Sequence, residues 1–189
     1  MRHNWFQIIQ DTRVTGAIEP VGVKSIIQPE WMRGEQLNEL EQSNLQFTIR
    51  PNRRPVAVDL IERPYPLWSD ELKRLLHTFA PRLMFRLVGL MDMERQQLHP
   101  YWFMVPPRLN ALSRSSTFDN SGKLNVLQVD ADQLSSTSWP IIYVADERLR
   151  ETVILVNLAL AEAILRREYT GLRLQRVNQV EGENRLLSL

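Results

Sequence analysis

Between Thr152 and Val177 the apolar positions change period twice within one continuous stretch, TVILVNLALAEAILRREYTGLRLQRV. Val153, Ile154, Leu155 and Val156 form an unbroken apolar run with three β-branched members, which predicts a strand covered on both faces. Asn157 comes next, and its side-chain oxygen can accept from a backbone N–H that the first turn of a helix leaves unbonded. Leu158, Ala161, Ile164 and Leu165 then recur at helical spacing, predicting a helix with those residues on its buried side. Glu162 stands four residues before Arg166, and Arg166 and Arg167 fall near the negative end of the helix dipole. Gly171 predicts a left-handed stop, and Leu172, Leu174 and Val177 suit a further strand.

The same reasoning runs along the rest of the chain. Trp5, Phe6, Ile8 and Ile9 predict an opening strand, with a polar turn from Asp11 to Gly16. Pro29 can open a short helix, and Gln36 to Gln42 continue or restart it with Leu37 and Leu40 inward. Leu45, Phe47 and Ile49 alternate with polar residues, as a half-buried strand does. The basic, proline-bounded segment Arg50 to Pro55 is the candidate join between an N-terminal portion, residues 1–55, and a main domain, residues 56–189. Val56, Val58 and Leu60 suggest a short strand, and the prolines of Arg63 to Trp68 hold that segment extended. Ser69 predicts an N-cap, with Asp70 and Glu71 in the first turn and Leu72, Leu75, Leu76 and Phe79 as the apolar stripe.

Phe85 to Met91 and Tyr101 to Val105 read as a long hairpin, with Pro100 marking a strand start or an edge. Asn110 to Ser116 reads as a polar loop, Asp119 to Gly122 as a turn and Leu124 to Val129 as a strand. Asp130 to Ser138 reads as a loop, Ile141 to Val144 as a strand, and the tail after Gln179 as a frayed end. Strands outnumber helices and the helices are scattered, so the expected class is α+β: a mostly antiparallel twisted sheet with a few packed helices.

Composition narrows the partners more than the chemistry. The chain has 189 residues, 23 Lys+Arg against 22 Asp+Glu, and a formal net charge of +1. That balance argues against a chain adapted as a whole to nucleic acid or to an anionic membrane. Charge does not shift at the connector either: residues 1–55 carry seven basic and six acidic side chains, and residues 56–189 carry sixteen of each. One compact body spanning the join is therefore expected. There is no cysteine, so no disulfide, thiolate metal site or cysteine nucleophile exists. The N-terminus lacks the apolar segment of a secretory signal, and the expected location is cytoplasmic.

Candidate chemistry is sparse. His3, His77 and His99 share no ligand spacing, and the seven glycines form no phosphate-binding loop. Ser113 to Thr117 is rich in hydroxyls, in the manner of a solvated loop. Asp59 and Glu62, with Asp70 and Glu71 nearby, could be drawn as an acid–base pair, but their positions suit a strand end and a helix N-terminus better. Arg50, Arg53, Arg54 and Arg63 could grip phosphate, yet they lack the interleaved aromatics of single-strand binders. Trp68, Tyr101, Trp102 and Phe103 could anchor a partner or fill a core, and strand spacing favours the core.

Five segments in order carry a family resemblance: Val56 to Ile61 (VAVDLI), Pro66 to Leu72 (PLWSDEL), Tyr101 to Pro107 (YWFMVPP), Leu109 to Phe118, and Ala161 to Leu172 (AEAILRREYTGL). Together they resemble the class-eleven immunity proteins of bacterial polymorphic toxin systems, a family first described as a domain of unknown function. The likeness runs from about Val56 to Val177 and leaves the first 55 residues unmatched. Its motifs are structural: an extended strand, a serine-led helix, an aromatic strand running into prolines and a Glu-bearing helix followed by Gly. A cysteine often stands in the family where this chain has Ala111, so any role of that thiol is excluded here.

The resemblance implies an antidote: a non-enzymatic protein, without cofactor or metal, that binds a cognate toxin such as a nuclease inside the producing cell. Antidotes to basic nucleases are often acidic. Here the acidic groups would have to be gathered on one face, and Asp130, Asp132, Asp146, Glu147 and Glu151, in two neighbouring loops, are the candidates, with Trp68 as a possible anchor. The competing expectation is that Arg148 and Arg150 offset them on an ordinary solvated surface. Two other functions stay open: a hydrolase using carboxylates or His77 and His99 about a metal, and a phage-derived structural component that self-associates through exposed aromatics such as Trp68.

Overall fold

The computed structural model describes residues 4–181. In chain order the elements are β1 (Trp5–Gln10), β2 (Pro20–Val21), α1 (Pro29–Met32), α2 (Leu37–Gln42), β3 (Leu45–Ile49), β4 (Leu60–Ile61) and β5 (Leu67–Trp68). Then come α3 (Asp70–Phe79), β6 (Met84–Asp92), β7 (Gln97–Val105), β8 (Arg108–Leu109), β9 (Thr117–Phe118), β10 (Leu124–Val126) and β11 (Gln128–Asp130). The chain closes with α4 (Ala131–Ser136), β12 (Ile141–Val144), β13 (Ile154–Asn157), α5 (Leu158–Leu165), β14 (Leu172–Arg176) and β15 (Asn178–Val180). The class is α+β with mostly antiparallel pairing, as the strand-rich pattern predicts. No helix among the described residues is long and apolar enough to cross a membrane.

The chain divides into two compact units, one of Met1–Ile8, Pro107–Glu162 and Leu174–Leu189, the other of Ile9–Pro106 and Ala163–Arg173. Arg50 to Pro55 is therefore not a boundary, because the residues on either side of it fall in the same unit. The reason is pairing: β3, before the connector, runs parallel to β6, after it, in the register Leu45↔Val88 to Thr48↔Met91. A strand bonded into the middle of a sheet cannot belong to a separate N-terminal portion.

In the unit built on Ile9–Pro106, six strands lie in the order β2-β3-β6-β7-β5-β4. The hairpin of β6 and β7 pairs from Met84↔Val105 to Asp92↔Gln97. β5 pairs with β7 only at Phe103 and Trp102, so Pro100 sits where the far edge of β7 has no named partner, consistent with its missing N–H. The core includes Ile18, Ile27, Leu40, Phe47, Leu90 and Phe103. α3 starts where Ser69 Oγ accepts from the Leu72 N–H at 3.2 Å, and it buries Leu72, Leu75 and Leu76 as its stripe predicts.

The other unit is built on a five-stranded sheet in the order β14-β1-β13-β12-β8. β13 lies between β1 and β12, antiparallel to both, and its Ile154, Leu155 and Val156 are buried on both faces. Asn157 Oδ1 accepts from the Leu160 N–H at 3.0 Å, so the expected cap at the start of α5 is present.

Five local expectations are corrected. Of the predicted α5 stripe, Ala161 and Ile164 are buried and are joined by Leu160, whereas Leu158 is 40% and Leu165 is 70% exposed, so the stripe holds in its middle and fails at both ends of the two-turn helix. Gly171 does not end the helix, which stops at Leu165. Its φ of +70° and the approach of Val58, whose Cβ would lie 2.4 Å from a Cβ at 171, make it a close-packing glycine instead. Leu124 to Val129 is two short strands rather than one. Asp130 to Ser138, read as loop, contains α4, and the parallel pairing of β11 with β15 carries the chain past Gln179 in ordered structure. His3 and the tail from residue 182 lie outside the described residues.

Candidate partner-binding surface

The five candidate acidic residues lie in one unit, and the structure sorts them by role. Asp130 closes β11 in an extended conformation, and its Oδ1 accepts from the N–H groups of Asp132 at 2.8 Å and Gln133 at 3.2 Å. That is the N-cap of α4, and it is 6% exposed. As a partner contact Asp130 is corrected: its carboxylate is turned inward on its own helix. Asp132 follows in the first turn, exposed, where the helix dipole favours negative charge.

The second loop folds around Asp146. Its Oδ1 accepts from the Arg148 N–H and Nε, both at 2.9 Å, and its Oδ2 from Nη2 at 2.9 Å. This bidentate grip by the Arg148 guanidinium, opposed only in part by burial, holds the Asp146 carboxyl below the usual carboxylate range. Arg148 also lies over the Phe118 ring at 5.8 Å. Arg150 donates from Nη1 to the Ser121 carbonyl at 2.7 Å. That carbonyl belongs to a turn in which Asp119 Oδ1 accepts from the Ser121 hydroxyl and from the Lys123 N–H, so the Asp119 carboxyl is lowered as well. Glu147 is exposed and Glu151 is half-buried.

The two loops start from one backbone segment. The Asp130 N–H donates to the Ala111 carbonyl at 2.9 Å and the Ala145 N–H to the Leu109 carbonyl at 2.9 Å. Residues 109–111 thus anchor both the start of α4, which carries Asp132, and the loop after β12, which carries Glu147. The segment is rigid because Ala111 is fully buried in a core with Val129, Leu134, Val144 and Leu155. Asp132, Glu147, Arg148 and Arg150 are all exposed, so the exposed groups of this unit's candidate segments carry both signs instead of forming an acidic plate.

Trp68 is also corrected. It is 0% exposed, paired between Leu60 and Trp102, and contributes volume to the interior instead of an anchor.

The other chemical candidates have structural partners. Asp59 accepts from the Ser69 hydroxyl at 2.5 Å and from the Thr170 N–H at 2.6 Å. Glu62 accepts from the Gln10 N–H at 3.2 Å. Asp70 pairs with Arg74 and accepts from Trp102 Nε1 at 3.0 Å. In the basic connector, the Asn52 and Arg53 carbonyls accept from Arg95 Nη2 at 3.0 and 2.8 Å, and Arg95 Nη1 donates to Asp92 at 2.9 Å. His77 is exposed in the last turn of α3, and His99 Nε2 is buried without a hydrogen-bond partner. Among the described residues no three His, Asp or Glu side chains are grouped to hold a metal. Glu71, Arg74, Arg167, Glu168 and Tyr169 line an open polar depression with both charge signs present.

One feature escapes the pattern reading. On the outer face of β6 and β7, Leu87 and Leu98 are 53% and 54% exposed, while Val88 and Leu90 on the inner face are fully buried. The signal was present: both runs are apolar at nearly every position, which demands cover on two faces, and the outer face is covered only at its Trp102 end, by α3, and not at Leu87 and Leu98. Lys73 of α3 bounds this surface, its Nζ 4.4 Å from the centroid of Trp102 and 5.8 Å from that of Phe85. No protein-family model matches the chain, and no curated protein sequence matches it.

Proposed function

We propose that this chain is an antidote that binds a cognate bacterial toxin domain in the producing cell and neutralises it by occupying its surface. The observation that carries the reading is the anchoring of two acid-bearing segments to one stretch of backbone, residues 109–111, through the Leu109 and Ala111 carbonyls. Rigid loops on a packed scaffold are what tight recognition requires, since little ordering entropy is then lost on binding. The order of segments from Val56 to Leu172 that resembles the class-eleven immunity proteins supports the same reading. Asp132 and Glu147 are the contact groups, with Arg148 and Arg150 setting register against acidic groups of the toxin.

The test begins with the gene beside this one, which should encode a large protein ending in a toxic module. Co-expression of the chain should restore growth, and the purified chain should bind the purified module. Asp132→Lys with Glu147→Lys should weaken that binding by ten-fold or more, chiefly through faster dissociation. Absence of binding between the two purified proteins would end the proposal.

A further inference from the structure

The register of the β6–β7 hairpin places Leu87 opposite Trp102, Gly89 opposite Pro100 and Met91 opposite Leu98, so these six share the outer face. The face continues onto β3, where Gln46 and Thr48 pair with Gly89 and Met91, and onto β2, where Val21 pairs with Thr48. Val21, Leu87 and Leu98 are 47%, 53% and 54% exposed. Single exposed apolar residues are ordinary, but Leu87 and Leu98 share one face of the β6–β7 hairpin, with Val21 beyond the polar Gln46 and Thr48 of β3, and that grouping marks a contact surface.

We infer that this face docks a second copy of the chain, about a two-fold axis lying in the interface and crossing the strands at the Gly89–Pro100 pair. The layout is its own complement about that point. Leu87 stands two residues to one side of Gly89 and Met91 two residues to the other; Trp102 and Leu98 do the same about Pro100. The two-fold sets Leu87 of one copy against Met91 and Leu98 of its partner. Gly89 has no side chain at the centre, and the Leu98 side chain fills the space over it, a Cβ there meeting Leu98 Cδ1 at 3.1 Å.

Charge follows the same symmetry. Lys73, over Trp102, marks one end of the face. Glu94 marks the hairpin tip at the other end, its side chain 57% exposed and its nearest cation, Arg95 Nη1, at a long 3.8 Å. About five residues of strand separate the ends, roughly 17 Å at ~3.4 Å per residue, too far for the two to meet within one copy. The two-fold brings Lys73 of each copy to Glu94 of the other. A face of this size buries on the order of 1,000 Å² in total, the low end for specific association, so the pairing is concentration-dependent.

Sedimentation of the purified chain over a broad concentration range tests this, apart from any toxin. A monomer–dimer equilibrium is expected. Leu87→Glu or Leu98→Glu, each checked for native circular dichroism, should leave monomer only. Lys73→Glu and Glu94→Lys should each weaken the dimer about ten-fold, and the double exchange should recover most of the loss. The double exchange decides the matter even where a leucine variant fails to fold. A wild-type monomer at every concentration, or a dimer indifferent to these substitutions, overturns the inference. Either result leaves the antidote reading where it stands.

Discussion

The Asp59 carboxylate holds Thr170, 111 positions away in the chain, by accepting from its backbone N–H at 2.6 Å and its hydroxyl at 3.2 Å. The backbones add to this, the Asp59 N–H donating to the Thr170 carbonyl at 2.8 Å. Asp59 Oδ1 is engaged at the same time by the Ser69 hydroxyl, which itself caps α3. One carboxylate therefore ties a helix start to a segment far along the chain. Asp59→Ala should lower stability by about 2 kcal/mol, because three donors lose a charged acceptor. Thr170→Val should cost less than ~1 kcal/mol, since the N–H bond survives. Urea unfolding of both variants checks the ranking.

Gly171 combines a positive φ of +70° with the closest approach of any glycine among the described residues, 2.4 Å from a Cβ placed there to Val58 Cβ. Gly171→Ala should cost about 3 kcal/mol or more, summing backbone strain and overlap. On a Val58→Gly background the added cost should shrink to the backbone part, about 1–2 kcal/mol. Equal costs on both backgrounds would remove Val58 from the account.

Asp130 and Glu147 should separate stability from recognition. Asp130→Ala removes the α4 cap and should cost about 1 kcal/mol in thermal or urea unfolding. Its effect on binding the toxin module should be small. Glu147→Lys should do the reverse, leaving stability within ~0.5 kcal/mol and weakening binding. A reversed pattern would assign Asp130 to the interface.

Acid should loosen the fold through its paired carboxyls. Burial pushes the Asp92 carboxyl up, but the Arg95 and Glu94 backbone N–H groups and the Arg95 guanidinium outweigh it and hold it below the ordinary value of 3.8. The guanidinium and backbone N–H of Arg13 hold Asp11 down to about 2. A carboxyl lowered in the folded state contributes stability that is present above the unfolded value, near pH 4, and lost as pH falls through the folded one. Stability should therefore decline between about pH 4 and pH 2. Asp92→Asn should be less stable at neutral pH and lose less on acidification, as urea midpoints measured at both ends would show.

Much of the local structure was legible in sequence because it rests on short-range rules. Ser69 and Asn157 cap helices because a side-chain oxygen reaches a backbone N–H three residues on, and nothing distant enters that geometry. The alternation of Leu45, Phe47 and Ile49 is buried-in and exposed-out for the same reason of strand period. α4 was missed because only six residues carry it and Asp130 reads equally as a turn former or a cap. The stripe of α5 holds at Ala161 and Ile164 and fails at Leu158 and Leu165, because two turns leave the phase of a helix poorly determined by its own leucines.

By itself the chain of residues settled the class, the caps, the hairpin and the want of cysteine chemistry, all consequences of composition or of neighbours within a few positions. Tertiary structure alone decided where the units divide, that Trp68 is interior, that Asp130 turns inward and that Leu87 and Leu98 face outward. Those outcomes depend on which strands pair and what covers each face, and pairing between β3 and β6 or between β11 and β15 spans separations over which residue patterns carry no register.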